Sequence, residues 1–286
     1  MILILLICFG QLFERNPSNP VELGDVHWLR SYEEAQSKSK AECKPVLILF
    51  QEIPGCITCR TYGSEVLTNP LIVEAIETHF IPLAIYNNKG GADEEVLKRF
   101  NEPAWNNPVV RVVDEKGNDV LPRLNGNYSA AGLAETMVSA LIKSRGKAPA
   151  YLQLLADELS AEKRGLQSVT YAMYCFWTGE AHFGKLNGVV KTTAGFQDGK
   201  EVVKVEYDPT IITKAQLDKS STQLQCKTPA SGSFRNDATP KYYLAHHAYK
   251  NIPMTEIQKC RVNSAIGEGQ DPDVFLSPKQ LQRVRE

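Results

Sequence analysis

Hydrophobic and polar positions change period several times along the 286 residues, and each change marks an element. Asp25 to Lys40 surrounds Trp28, Leu29 and Tyr32 with polar residues and reads as a helix. Val46-Leu47-Ile48-Leu49-Phe50 is a short continuous apolar run, the pattern of a strand covered on both faces. Helical spacing returns over Arg60–Val66 and, after Asn69-Pro70, over Leu71–His79. A second buried strand follows at Phe80–Tyr86, a helix at Asp93–Phe100 and a strand at Val109–Val113. The Asp114–Gly117 turn predicts a paired strand from Val120-Leu121, and Ser129–Lys143 is an amphipathic helix. The polar stretch Ser144–Pro149 reads as a domain boundary. Beyond it come a helix at Ala150–Arg164, a strand at Val169–Tyr174, a helix at Gly179–Leu186 and strands at Gly188–Ala194 and Glu201–Tyr207. Helices at Ile212–Lys219 and Met254–Gly267 complete the pattern. The expected organisation is 1–24 as signal peptide and linker, 25–146 as a first domain and 147–286 as a second.

Composition narrows the function classes. Hydrophobic residues make up 43% and charged residues 23%, ordinary for a globular chain of two domains. The formal net charge is −1 and no long basic run exists, which argues against nucleic acid as a partner. After the first residues no stretch reaches the ~20 apolar residues of a membrane span. Met1 to Phe9 is almost wholly apolar. It reads either as the core of a secretory signal, favoured by the linker-like Asn16–Pro20, or as a buried first element. The signal reading makes the setting extracytoplasmic, periplasmic or secreted.

The chemistry lies in the cysteines, seven in number: Cys8, Cys43, Cys56, Cys59, Cys175, Cys226 and Cys260. With a single close pair, a two-pair zinc ribbon is excluded, and a chain of this size needs no disulfide scaffold. Adjacent His246 and His247 have no carboxylate or cysteine spaced to join them, so no metal site is read. Cys56-Ile57-Thr58-Cys59 follows a buried strand and precedes a helix. A thiol at a helix start faces unpaired N–H groups and the positive helix end, which favours the thiolate. Cys56 is then the attacking sulfur and Cys59 the resolving one. Two core cysteines or a plain structural disulfide is the alternative.

The order strand, CxxC, helix, strand, helix, proline-led strand, hairpin and helix resembles the thioredoxin fold over about residues 25–146. The resemblance implies a cis proline beside the dithiol, at the place of Pro108. Two positions depart from that family's pattern. Its buried acid six residues before the first cysteine is Phe50 here, and its aromatic just before that cysteine is Gly55.

Cys175-Phe176-Trp177-Thr178-Gly179-Glu180 resembles the motif of the A-type peptide methionine sulfoxide reductases. Linked matches follow in order: Thr192–Phe196, the Gly199–Pro209 stretch with Glu201, and the Asp237/Tyr242 pair. The resemblance covers roughly 169–245. It implies an α+β domain with a ferredoxin-like core, behind an α/β thioredoxin-like one. It also implies roles: Cys175 as nucleophile on a sulfoxide sulfur, Phe176 and Trp177 as an apolar wall for the substrate methyl, and Glu201 as proton donor. Tyr242 is then a hydrogen-bond donor to the oxygen, positioned by Asp237. Cys226 and Cys260 are both candidates to resolve the sulfenic acid left on Cys175. No cofactor is implied beyond a thiol–disulfide relay. The partners implied are methionine sulfoxide, in peptides or proteins, and an upstream thiol reductant. This sequence departs from the pattern at Tyr174, where the family has Gly, at Lys200, where it has His, and in a shortened loop before Glu201 that lacks a Tyr. The function expected is reduction of methionine-S-sulfoxide recycled by the fused dithiol. The alternative is a general thiol–disulfide oxidoreductase with a degenerate substrate-binding second domain.

Overall fold

The computed structural model describes residues 19–227 and 232–286. The apolar stretch read as a signal, and Cys8 within it, lie outside the described residues. The chain divides into two compact units, 1–128 and 129–286. The boundary falls earlier than Ser144–Pro149. The helix Ala130–Arg145 (α5) packs along Ala150–Arg164 (α6), so it groups with the second unit. Among the described residues, no helix is long and apolar enough to cross a membrane.

The first unit is a three-stranded mixed sheet, order β2-β1-β3, with β1 Val46–Gln51, β2 Ile81–Tyr86 and β3 Val109–Val113. β1 runs parallel to β2 and antiparallel to β3, and every residue of β1 is buried. The continuous apolar run is therefore a central strand covered on both faces. Helices α1 (Tyr32–Glu42), α2 (Ile57–Thr61), α3 (Pro70–His79) and α4 (Ala92–Arg99) surround it. Three expectations are corrected. The first helix starts at Tyr32 rather than Asp25, because Ser31 caps it by accepting from Glu34 N. The chain before the cap is extended, and Leu29 bonds to Pro82 and Ala84 at the β2 edge. The partner of β3 is not a strand. Val120 N and Leu124 N reach Val112 O and Val110 O, but Pro122 between them has no N–H to give. Residues 19–24 are part of the folded unit rather than linker: Val21–Leu23 forms a short 3-10 turn with Glu22 and Leu23 buried.

The second unit is an antiparallel sheet, order β4-β6-β5-β7, formed by β4 (Gln167–Ala172), β5 (Val189–Gln197), β6 (Lys200–Tyr207) and β7 (Arg235–Asn236). The helices α7 (Phe176–Gly184) and α10 (Glu256–Gly267) pack together and against β5. α8 (Lys214–Ser221) follows β6, α9 (Tyr242–Ala245) follows β7, and α11 (Pro278–Arg285) ends the unit. Val169, Tyr171, Phe176, Phe183, Val203 and Val205 form the centre of the core. The strand–helix–hairpin–helix run β4-α7-β5-β6-α8 gives a ferredoxin-like core. Its fourth strand is reduced, among the described residues, to Lys227 bridged antiparallel to Ala172 on the outer edge of β4. β7 adds a two-residue strand on the opposite edge.

The hairpin that carries Glu201 is tight. β5 and β6 are joined by Asp198-Gly199 alone, both at positive φ (52° and 74°). This is the geometry in which the turn's twist matches that of the flanking strands, and Asp-Gly is the dipeptide that suits it. The shortened loop read from the sequence is thus a minimal hairpin turn.

Candidate functional site

Each unit places one cysteine at the start of a helix. In the first, Cys56 is the N-cap of α2 and exposed, whereas Cys59 is buried. Both thiols are free, with their Sγ atoms 3.5 Å apart. The N–H groups of Cys59, first, and of Thr58 hydrogen-bond the Cys56 sulfur and hold its thiol below the ordinary value. Burial, first, and the hydrogen bond with Cys56 together push the Cys59 thiol up to about 12. The roles expected for the pair fit this split: an ionisable sulfur at the surface and a protonated one beneath it.

The Cys59 thiol donates to Asn107 Oδ1 at 2.6 Å, and Pro108 follows through a cis peptide bond, so the predicted proline does lie beside the dithiol. That loop is held from behind. Asn87 Nδ2 donates to Asn106 O, and Asn106 Nδ2 donates to the buried Glu102 carboxylate, which Arg111 Nε also reaches. The loop before Cys56 is latched by residues that sequence reasoning missed. Glu22 Oε1 accepts from Gly55 N at 3.0 Å, and Gln51 Nε2 donates to both Glu22 O and Cys59 O. Side chains of Ile57 (77% exposed) and Trp105 (82% exposed) stand in solvent on α2 and on the segment leading to Asn107.

In the second unit Cys175 is half-buried at the N-cap of α7, after a Tyr174 that is 98% exposed. The Glu201 side chain crosses from β6 to the same helix start, where Oε2 accepts from Phe176 N at 3.0 Å. A carboxylate therefore sits one residue from the sulfur. Trp177 is gripped on two sides. Its Nε1 donates to Asp237 Oδ2 at 3.3 Å, and its ring stacks on Tyr242 with centroids 3.9 Å apart. All six residues singled out from the sequence thus meet around the head of α7. Two of them are used differently from expectation. Phe176 is only 4% exposed and packs between Trp177 and Phe196, so it supports the surface rather than forming it. Asp237 engages the Trp177 indole and Thr239 N rather than Tyr242.

The two candidate resolving thiols lie in different surroundings. Cys226 is half-buried against the core cluster of the second unit, and burial raises its thiol. It precedes Lys227, whose backbone pairs with Ala172 three residues before Cys175. Cys260 is fully buried on α10, against Val190 O and Thr192 Oγ1.

A buried ion pair fixes the Asp237–Tyr242 segment. Glu180 accepts from Ala194 N at 3.0 Å and from Lys241 N at 2.8 Å, and Lys241 Nζ lies 3.2 Å from its carboxylate. Lys241 Nζ also bonds Thr192 O. The pair holds the residue before Tyr242 in a left-handed conformation, φ 57°. At Gly195 a Cβ would meet Arg235 O at 2.4 Å and the Phe234 ring at 2.6 Å, so only glycine lets the segment leading to Asp237 lie against β5. The Cys-Phe-Trp-x-x-Glu spacing was the available signal for Glu180; nothing local marks Lys241 as its partner.

Residues 27–115 match the Thioredoxin-like family model. The first unit is a thioredoxin-like domain. Curated relatives are similar over part of the chain. Peptide methionine sulfoxide reductase A5 of Arabidopsis thaliana is 43% identical over 78 residues, 23% of this chain and 31% of its own length. A peptide methionine sulfoxide reductase of Drosophila melanogaster is 33% identical over 63 residues, 18% of this chain and 26% of its own. The chain thus spans about a third or less of the length of these relatives. Among solved structures, a thioredoxin from Thermus thermophilus overlays with a TM-score of 0.37 at 20% identity, covering 42% of this chain and 91% of that one. The families to which parts of this chain are similar work through thiol–disulfide chemistry without a prosthetic group.

Proposed function

We propose that the second unit reduces methionine-S-sulfoxide, in peptides or free, and that the dithiol of the first unit regenerates it. The observation that carries the reading is the Glu201 carboxylate hydrogen-bonded at the head of α7, one residue from Cys175 and beside the Trp177–Tyr242 stack. The partial similarity to methionine sulfoxide reductases supports it. In this scheme Glu201 takes the proton of the Cys175 thiol as its sulfur attacks the sulfoxide sulfur, and passes it to the oxygen as that oxygen loses its bond. The oxygen passes to Cys175 as a sulfenic acid and the thioether departs. Cys226 is the resolving thiol in this scheme, being half-buried beside the strand that delivers Cys175, whereas Cys260 is enclosed. It displaces water and leaves a Cys175–Cys226 disulfide. Cys56 thiolate attacks that disulfide, Cys59 completes the exchange, and an upstream thiol reductant reduces the resulting pair. The proposed setting is extracytoplasmic, on the apolar Met1–Phe9 stretch alone.

The test is turnover of a methionine sulfoxide peptide. With dithiothreitol, wild type and Cys56→Ser turn over and Cys175→Ser does not. With an upstream thioredoxin system as the only donor, Cys56→Ser stalls after one equivalent. An inactive wild type under dithiothreitol removes the reductase reading.

One observation favours a second reading, a general disulfide reductase. Ile57 and Trp105 offer exposed apolar surface on the two segments that carry the dithiol and its Asn107 contact, suited to an unfolded or extended substrate chain. Insulin reduction that needs Cys56 and ignores Cys175, with no sulfoxide turnover, would decide for it.

A further inference from the structure

Glu52 stands four residues before Cys56, in the turn between β1 and α2. A carboxylate oxygen of Glu52 and the sulfurs of Cys56 and Cys59 all lie within 4.8 Å of one another. Thiol–disulfide exchange draws on the two sulfurs and on backbone N–H groups, that of Glu52 included, and makes no use of the Glu52 side chain. A carboxylate beside a sulfur that must ionise works against that ionisation, because like charges at close range oppose each other. Among the described residues, no hydrogen-bond or ion-pair partner occupies it.

The same three atoms make sense together as ligands. The C-x2-C spacing is that of a zinc half-site, and the carboxylate adds a hard oxygen to two soft sulfurs. Two zinc–sulfur bonds of about 2.3 Å at a tetrahedral centre put the sulfurs about 3.8 Å apart. The observed 3.5 Å needs little adjustment. Cys56 is exposed and gives an entry path, while buried Cys59 closes the floor. Asn107 Oδ1, 2.6 Å from the Cys59 sulfur, borders the fourth position.

We propose that the reduced dithiol and Glu52 form a three-ligand site for a thiophilic divalent cation, Zn2+ in particular, and that the bound ion keeps the dithiol out of exchange. Two thiol protons leave to solvent as two metal–thiolate bonds form, and no electrons move. The oxidised dithiol has no thiolates to offer, so the site exists in the reduced protein only.

The experiment is a titration of the reduced, full chain with Co2+ under anaerobic conditions, followed by competition with Zn2+. One equivalent of Co2+ gives the thiolate charge-transfer absorption and tetrahedral d–d bands, and Zn2+ bleaches both. Diamide-oxidised protein and Cys56→Ser lose that equivalent. Glu52→Gln keeps the charge-transfer absorption but binds Zn2+ at least about tenfold more weakly. One equivalent of Zn2+ stops insulin reduction by wild type, and a chelator restores it. Glu52→Gln reduces insulin normally without Zn2+, which establishes that its fold is intact. Wild-type Zn2+ affinity in Glu52→Gln, or full stoichiometry in Cys56→Ser, overturns the proposal.

Discussion

Cys56 and Cys175 occupy the same local place, the N-cap of a helix, yet their neighbours assign them to different work. Cys56 is exposed, receives N–H groups on its sulfur and has a second thiol 3.5 Å away. Cys175 is half-buried, and the group that crosses to its helix start is the carboxylate of Glu201. The first arrangement favours a charged sulfur that trades disulfides. The second puts a carboxyl group next to a thiol, which suits the proposed substrate, whose oxygen must be protonated as it moves. A helix start by itself sets neither task; the side chain that reaches it from another strand does.

Exchange of function between the two sites is the strongest way to break this comparison. Cys175→Ser should lower sulfoxide turnover on the order of a thousandfold or more and leave insulin reduction unchanged, measured in parallel assays. Loss of insulin reduction in that variant would mean the two sulfurs are not separate in role. Next in size is the scaffold behind Tyr242. Lys241→Met leaves Glu180 buried and unpaired and should destabilise the second unit by about 3–5 kcal/mol, read from urea unfolding. The double variant Glu180→Gln/Lys241→Met should recover much of that loss. Glu201→Gln keeps an acceptor for Phe176 N but removes the acid, and should cut kcat about 10²-fold with KM little changed. An unchanged kcat would reduce Glu201 to a helix cap.

A pH experiment sharpens the dithiol side. The folded Cys59 thiol is raised to about 12, so its contribution to stability is complete below the unfolded thiol value near 8.5. That contribution is lost as pH rises from about 8.5 towards 12, by at most about 1.4 kcal/mol per pH unit. Cys56 is depressed and acts in the opposite sense, gaining stability above its folded value, but it is exposed and its share is small. Denaturant midpoints of the reduced protein should fall more steeply above about pH 8.5 than those of the form with a Cys56–Cys59 disulfide. The smallest effect belongs to Tyr242→Phe, a few-fold decrease in turnover, since the ring stack on Trp177 survives and only the hydroxyl is lost.

Much of this was legible in the residues. The unbroken apolar run of β1, the CxxC after it and the proline-led β3 place the dithiol, because parallel-sheet strands and helix starts are written locally. Cys175, Glu201, Asp237 and Tyr242 were reached through the motif resemblance, and the fold brings them together. Two features were readable but passed over: Ser31 with Glu34 as a helix start, and Asp198-Gly199 as a two-residue hairpin turn. Others were not readable, because their partners are remote in sequence. Glu22 reaches Gly55 across 33 residues and Glu180 reaches Lys241 across 61, and no local pattern announces either bond. The position of α5 was hidden for the same reason. Its amphipathic face fits any neighbour, and only packing against α6 decides which unit it joins.

The buried Glu22 changes how this redox module would be moved into another protein. A segment taken from residue 25 onward would keep every strand of the sheet, both sulfurs and the cis proline, and would look whole on any alignment. It would lack the one carboxylate that fixes the amide of Gly55, next to the attacking sulfur. The transplant would carry the chemistry without the part that aims it, and a portable version has to begin no later than Asn19, whose amide also braces Gly24 and Val26.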